Sequence, residues 1–519
     1  MRIGIDFGTT RIVVAAADRG NYPLLDFEGP EGEIRDWYPP LVAVRGTRRL
    51  YGWEARAVEG EPGWTVVRSL KRRLKDAGPA TLADIGGERL PLLELLTGLA
   101  AALHRHLRER SSLRLEAGEA LEVVLGVPAN ANNNQRFLTV EACRAAGFAM
   151  LGLLNEPSAA SIEFGHRSRT ARRTRSRLLV YDLGGGTFDA SLVEIDEDMH
   201  AVVASAGIPT LGGDDFDEIL AAMALDGAGI DPGALSQAER FRLDEECREK
   251  KESLNPNTRR LVVDLGRVRD GWDEVSIPVA AFYERCRPLV EQSREVVEEL
   301  LRENPGEAPE TLYVTGGGAE MPLVARVLRE AFGRRVRRSA YMRSATAIGL
   351  AIHADQKPGH TLSDRFAHHF GVWREADDGQ NISFDLLFPR GAALPAAGEG
   401  PLRIVRRYSP AHNIGHFRYL ECARIGADGR PAGDITAWDD IRFPFDPALR
   451  EGVDLSALPV VRSAAAAQGV VEEVYTCDAG GTVTVTIANA TAGYAREYRL
   501  ARWSPAPGGA PGRGETAAV

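Results

Sequence analysis

Two glycine turns, one at the start of the chain and one before its middle, share a pattern that restricts the fold more than anything else in the sequence. The first is Ile3-Gly4-Ile5-Asp6-Phe7-Gly8-Thr9-Thr10, and the second is Val180-Tyr181-Asp182-Leu183-Gly184-Gly185-Gly186-Thr187-Phe188-Asp189. Each is an apolar strand ending in an aspartate, followed by a glycine turn and a threonine. Glycine lets the backbone bend tightly, so its N–H groups can face phosphate oxygens. Asp6 and Asp182 can hold the water shell of a magnesium ion, which takes one or two carboxylates plus phosphate. The hydroxyls of Thr9, Thr10 and Thr187 can donate to the same phosphates. One such turn is weak evidence. Two, each on a strand-turn-strand, point to a duplicated fold closing on ATP from both sides.

A chain of 519 residues is long enough for more than one domain and substantial cores. The net charge of −10 argues against a dedicated nucleic-acid binder. Cys143, Cys247, Cys286, Cys422 and Cys477 match no zinc or redox spacing and read as reduced thiols. The ten histidines, His368-His369 included, show no metal-ligand spacing. The chain starts directly with a strand rather than a charged-then-apolar leader. It contains no apolar run long enough to cross a bilayer, so the expectation is a soluble cytoplasmic protein with no membrane partner. Only five lysines stand among 63 basic residues: Lys71, Lys75, Lys250, Lys251 and Lys357. A lysine kept amid so much arginine can be there for its compact point charge; codon bias is the plainer alternative.

Residues 1–16 read as a β-hairpin. Leu92, Leu96, Leu99, Leu103 and Leu107 fall at helical spacing. Strands are expected at 122–127, 178–182, 188–195, 201–207 and 311–315, and helices at 135–146, 214–224, 236–254, 279–303 and 344–354. Pro322 suits a helix start. This alternation indicates an α/β region over 1–355. A polar stretch at 356–365, containing Lys357-Pro358-Gly359, reads as a linker. Residues 366–503 carry short alternating strands, clearest at Val470 to Cys477 and Thr482 to Ala488, and read as a β-sandwich. The Pro/Gly/Ala-rich end, 504–519, reads as disordered. The run Arg167, Arg169, Arg172, Arg173, Arg175, Arg177 reads as a solvated loop, with docking of an acidic partner as the alternative.

The two turns and their order resemble the DnaK-type heat shock protein 70 family, within the actin-like ATPase fold. The resemblance covers residues 1–355 and includes Asn155-Glu156-Pro157-Ser158-Ala159-Ala160, Leu211-Gly212-Gly213-Asp214-Asp215-Phe216-Asp217, and Gly126-Val127-Pro128 followed by Gln135-Arg136. It implies a two-lobed ATPase with a central cleft. Asp6 and Asp182 would orient magnesium-bound waters, with Asp189 nearby and Gly8, Gly184, Gly185 and Gly186 in the phosphate turns. Lys71 matches the family's catalytic lysine, where a positive charge beside the γ-phosphate stabilises the transition state. Glu156 matches the glutamate that positions water. Gly213 belongs to the nucleotide-site motif, and Gly316, Gly317 and Gly318 match the turn along the adenosine. Pro128 and Arg136 match the interdomain switch. The bland alternatives are ordinary tight turns and, for Glu156, a helix-terminus carboxylate.

The chain departs from that pattern in three places. On the helix that grips the nucleoside, Lys251 fits the family's lysine, but Arg248 replaces a glutamate, Glu252 an arginine and Asn255 a serine. Glu320 stands where a second adenine-stacking arginine is expected, and Arg343 where an aspartate is. Four charges are thus inverted, and a carboxylate cannot stack on adenine as a guanidinium does. The expectation is a pocket with its internal balance kept and its polarity reversed, pairing Arg248 or Arg343 with Glu252 or Glu320. Second, the linker is polar where the family's is aliphatic, and Asn130 and Asn133 stand in the switch where the family has an aromatic and an acid. Third, the sequence after Trp503 holds no long helical lid, so bound peptides are expected to exchange quickly from an edge-strand site.

The leading expectation is an ATP-hydrolysing chaperone-like protein, with ATP/ADP and Mg2+ as cofactors. Its partners would be an unfolded polypeptide or a specific client and a co-chaperone, with no nucleic acid. The alternative is a non-enzymatic nucleotide-binding scaffold with a fixed partner. A small-molecule kinase of the same fold is the third reading, weakened by the lack of a dedicated substrate-base motif.

Overall fold

The computed structural model describes the chain through Leu500 except residues 69, 75–76, 78–80, 117, 129–130, 132, 168–175, 197–198, 356–360, 364–365, 367, 377–380, 396–398, 427–428, 451–453 and 479–480; residues 501–519 also lie outside the description. The expected disordered tail, Asn130 and most of the arginine-rich run therefore fall outside the described residues.

The first sheet is built from β1 (Arg2–Phe7), β2 (Ile12–Ala16), β3 (Glu122–Val127) and β4 (Ala149–Asn155) in the order β4-β3-β1-β2. β1 pairs antiparallel with β2 and parallel with β3. The helix α1 (Leu92–Glu109) covers one face, and all five periodic leucines are buried in it. Between β3 and β4 runs α2 (Asn133–Ala145), and β4 leads straight into α3 (Glu156–Arg167).

The second sheet repeats that plan. It comprises β5 (Ser176–Leu183), β6 (Phe188–Asp196), β7 (Met199–Ile208), β8 (Thr311–Thr315), β9 (Val336–Arg338) and β10 (Thr361–Ser363), in the order β9-β8-β5-β6-β7-β10. Again the glycine-turn strand, β5, has an antiparallel partner on one side and a parallel one on the other. Its helices are α4 (Gly213–Ala228), α5 (Gln237–Glu252), α6 (Val279–Glu303), α7 (Pro322–Phe332) and α8 (Ala345–Ala354). Pro322 opens α7, as its missing N–H allows. Ser236 caps α5 by accepting the Glu239 N–H, with Glu239 bonding back to the Ser236 N–H, so the start of this helix is fixed locally.

Small residues place α3 and α8 between the sheets. Ala159, Ala347, Leu350 and Ala351 pack with Val13, Ala15 and Val124 of the first sheet. Ala160 and Ala345 pack with Leu178, Val180, Val193 and Ile195 of the second. This shared layer fixes how the two glycine turns face each other.

The polar stretch expected to be a linker, 356–365, contains β10, which adds in parallel to the edge of β7 through Thr361 to Ser363. Pairing of this kind uses backbone N–H and C=O groups, so polar side chains do not prevent it, and the β7 edge offers the partner groups. Beyond it, β11 (His369–Ala376), β12 (Asn381–Phe388), β13 (Leu402–Tyr408), β14 (Ile414–Ile425), β15 (Pro431–Pro444), β16 (Val471–Cys477), β17 (Val483–Asn489) and β18 (Tyr494–Arg499) form two four-stranded sheets, β12-β11-β14-β15 and β13-β16-β17-β18. Both sheets contribute to one buried cluster, with Phe370, Tyr419 and Phe443 from the first and Tyr475, Val485 and Ile487 from the second. A polar knot also links them. Glu473, wholly buried, accepts from Arg374 at 3.1 and 2.7 Å and from the hydroxyls of Tyr408 and Tyr475. A buried carboxylate survives there because its oxygens are so fully bonded.

Candidate functional site

The site grows from the turn at the end of each sheet's first strand. Gly185 faces Thr9 and Thr10 so closely that a Cβ on it would lie 2.1 Å from the Thr10 hydroxyl oxygen. The two sequence signatures, over 170 residues apart in the chain, therefore meet in space. The second turn is fixed by its own backbone: the Gly184 N–H donates to Thr187 O at 2.9 Å. It is held from α4 as well, since the Gly213 and Asp214 N–H groups donate to Gly184 O and Gly185 O at 2.9 and 2.7 Å. Gly316, at the end of β8, has φ of +91°, and a Cβ there would strike Leu183 O and the Asp182 carboxylate. Glycine is required at that corner.

One cavity opens between these turns, with about 900 Å³ of empty space counting its mouth. Asp6, Gly8, Thr9, Thr10, Lys71, Glu156, Asp182, Gly184, Gly185, Thr187, Gly213, Lys251, Gly316, Gly317, Gly318 and Arg343 all line it. Of the other residues singled out from the sequence, Gly186 is in the turn but not in the lining, and Asn255 is not in the lining either. The Asn255 side chain accepts the Asn257 N–H at 3.0 Å as a turn cap and borders an adjoining cavity. Pro128 and Arg136 lie apart from the cavity. Arg136, buried at the start of α2, donates to Asn155 Oδ1 at 2.5 Å, and its guanidinium is 3.6 Å from where a Cβ on Gly481 would sit. Arg499 on β18 also pairs with Glu141 on α2 at 3.2 Å. Arg136 and Glu141 of α2 thus face the β-rich region.

At the inner end, Lys71 sits on a short 3-10 turn (Leu70–Leu74) and donates to Glu156, the first residue of α3. Burial alone would depress the lysine, but the combined pull of Glu156, Asp6 and Asp189 raises its pKa, so it stays an ammonium. The carboxylates pay for that crowding. Asp6 is raised to about 7 by burial and by Glu156, against the pull of Lys71. Asp182 is pushed well above the usual carboxylate range by burial, with Glu156, Asp6 and Asp189 adding to the shift. Among the described residues no group of three or more His, Cys, Asp or Glu side chains is placed to hold a metal directly. Two buried carboxylates short of positive charge fit an ion that keeps most of its water, as magnesium does.

Alongside, Lys251 at the end of α5 donates to Gly213 O at 2.6 Å and pairs with Asp217 at 2.7 Å. Burial lifts Asp217 to about 7, against the opposing pull of Lys251. Thr10 donates to Asp214 at 3.4 Å.

The outer end carries the inverted charges. Arg343 donates to Glu320 through Nε at 2.8 Å and to Glu252 through Nη1 at 3.0 Å. Arg11 reaches Glu252 at 2.5 Å. The expected pairing is thus present for Arg343. For Arg248 it is not: this side chain pairs with Glu245, one turn back on α5, which also meets Arg56 at 3.4 Å and Arg68. A partner on the same helix face is nearer than one across the cavity. Arg11 and Asp217 are the residues that the sequence left without a role. Arg11 follows Thr10 directly, but only the folded turn directs it to the end of α5.

Comparison with known proteins agrees with this geometry. Residues 97–366, just over half of the chain, match the family described as Hsp70 protein. The chain belongs to the Hsp70 family. Its curated relatives include the chaperone protein HscA homolog of Pseudomonas fluorescens, 30% identical over 381 residues, covering 69% of this chain and 58% of the relative. The Pseudomonas aeruginosa homolog is 31% identical over 383 residues with the same coverage, and chaperone protein HscA of Escherichia fergusonii is 33% identical over 374 residues, covering 68% and 57%. The chain therefore spans somewhat under three-fifths of the length of these relatives. Among the described residues of this Hsp70-family chain, no helix is long and apolar enough to cross a membrane.

Proposed function

We propose that this chain is an ATP-hydrolysing, chaperone-like protein in which the nucleotide state of a two-lobed region, 1–355, governs polypeptide binding by a β-sandwich-like region, 366–503. The observation that carries the reading is the convergence of Asp6, Lys71, Glu156 and Asp182 on the cavity where the two glycine turns meet. Family membership supports it, and so does the similarity to the chaperone relatives. A cytoplasmic location, an unfolded or client polypeptide as partner and a co-chaperone belong to the same reading.

The residues divide the work by charge. Asp6 and Asp182 would hold the water shell of Mg2+, and that ion would neutralise phosphate charge. The backbone of Gly184 and Gly185, with the hydroxyls of Thr9, Thr10 and Thr187, presents donors to the phosphates. Lys71 keeps its proton and offers a fixed positive charge to the γ-phosphoryl group as charge develops there. Glu156 holds Lys71 in place and presents a carboxylate beside it to orient the attacking water. Lys251 and Gly316 to Gly318 flank the nucleoside side of the cavity. This intact set speaks against a scaffold without turnover.

The test is ATP turnover by the full chain and by Glu156→Ala, with and without an unfolded peptide. Turnover stimulated by peptide and reduced about a hundredfold or more in the variant, the scale of losing one positioned catalytic group, is the expected result. Equal turnover in both proteins, or none in either, would overturn the reading.

A further inference from the structure

Among the described residues, Lys71 and Lys251 are the lysines that line the cavity. Glu156 accounts for the setting of the first. The second is held by Asp217, a residue that the phosphate chemistry above does not use. Lys251 lies at the end of α5, and Asp217 lies one turn beyond Gly213 on α4, so the pair joins two helices. Both side chains are buried, at 9% and 7% exposure.

An ammonium carries three protons. Lys251 directs one to Gly213 O at 2.6 Å and one to Asp217 Oδ1 at 2.7 Å. Among the described residues no third protein acceptor meets Nζ. Lys251 lines the cavity, and the remaining proton is left for a ligand there. The fit is close: a Cβ on Gly213 would come within 3.1 Å of Nζ.

Asp217 keeps that proton in one place. A carbonyl alone leaves a buried ammonium without counter-charge, and such a group gives up its proton or swings to water. The other carboxylates nearby are engaged elsewhere. Glu252, the next residue, accepts from Arg11 and Arg343, and Asp214 accepts from Thr10. Lys251 and the second glycine turn also share one frame, because the Gly213 and Asp214 N–H groups that begin α4 donate to Gly184 O and Gly185 O. Asp217 thus ties the ammonium to the helix that holds the phosphate turn. Its own carboxylate repels a phosphate, so any gain it brings to nucleotide binding passes through Lys251.

We infer that Asp217 is a positioning residue for nucleotide binding, holding the Lys251 ammonium so that its third proton meets an oxygen of the nucleotide. The inference rests on the phosphate-cavity reading above and adds to it the residue that aims one of its cations. Lys251 stands at the wall shared with the adjoining cavity, whereas Lys71 lies at the inner end beside Asp6 and Glu156. Away from the reacting phosphate, the Lys251 contact is made alike before and during the reaction. Its loss weakens binding without slowing the chemistry.

The experiment measures Mg-ADP affinity by calorimetry and hydrolysis of bound Mg-ATP in a single turnover, at about pH 8, where Asp217, raised to about 7, is ionised. It compares the full chain with Asp217→Asn, Lys251→Met and the double variant. Asp217→Asn should weaken Mg-ADP at least about tenfold, the scale of a lost hydrogen bond to a charged group, and leave the single-turnover rate within about threefold. Lys251→Met should weaken it by a similar factor. The double variant should lose no more than about threefold beyond Lys251→Met alone, because the two residues act as one unit. It removes both charges together, so it tests the pairing even where Asp217→Asn alone does not fold. Unchanged Mg-ADP affinity in Asp217→Asn overturns the inference and leaves the cavity reading standing. So do losses that multiply in the double variant, since Asp217 would then act apart from Lys251. A single-turnover rate that falls beyond about threefold in Asp217→Asn also overturns it. Failure of the wild-type chain to bind Mg-ADP overturns the phosphate-cavity reading as well.

Discussion

At the inner end of the cavity, burial and the neighbouring carboxylate of Glu156 raise the proton affinity of Asp6 and Asp182 around Lys71. At the outer end, Arg11 and Arg343 meet Glu252 and Glu320 in a chain of ion pairs. The inner group is deeply buried and short of positive charge; the outer group is balanced and partly open, with Arg343 at 29% and Glu252 at 27% side-chain exposure. Burial explains why the two ends differ in consequence. Removing charge from water costs most where no counter-charge remains, and screened pairs contribute little. The inner end is thus poised to take up a cation, whereas the outer end already satisfies itself.

Breaking the inner end should have the larger effect. Lys71→Met leaves Glu156 and Asp6 facing each other without the ammonium between them. ATP turnover is expected to fall by roughly a hundredfold to a thousandfold, the scale seen when one preorganised electrostatic contact is lost. A change below about threefold would mean that Lys71 does not act on the reacting group.

A pH series separates the ends without mutation. Asp6 and Asp217 titrate near 7 in the folded chain and near their ordinary 3.8 when unfolded. Between those values the folded chain holds protons that the unfolded chain has released. Stability should therefore fall as pH rises from about 4 to about 7 and level off above, the reverse of a salt-bridged carboxylate. Urea midpoints of the metal-free chain across that range measure it. Asp217→Asn should flatten the slope; an unchanged slope would mean that Asp217 is not the group responsible.

The smallest effect is expected at the outer end. Glu252→Gln removes one member of a partly exposed ion-pair chain and should shift unfolding by less than about 1 kcal/mol, with less difference still at high salt. A loss above about 3 kcal/mol, as for a buried pair, would erase the distinction between the ends.

Much of this was legible before folding was considered. Leucine spacing marked a helix over Leu92 to Leu107, which runs to Glu109 in the fold, a helix was expected at 279–303 where Val279–Glu303 lies, and local turn chemistry placed Pro322 at the start of its helix. Local signals failed where backbone pairing was remote. The strand Thr361–Ser363 is only three residues long between polar neighbours, and it forms because an edge of another strand is free to receive it. Of the two arginines expected to pair across the cavity, only Arg343 does so: charge complementarity identifies possible partners, and reach and helix face select among them.

The sequence by itself determined the two glycine turns, the aspartate that precedes each and the sign of every charge around the cavity, because backbone freedom and ionisation are properties of single residues. Only the tertiary structure decided that Gly185 would lie against Thr9 and Thr10, that Asp6 and Asp182 would share one buried space with Lys71, and that Arg343 would hold two glutamates at once. Those outcomes depend on how small residues of two helices pack between two sheets. A distance across a cleft is set by packing far along the chain from the residues that use it.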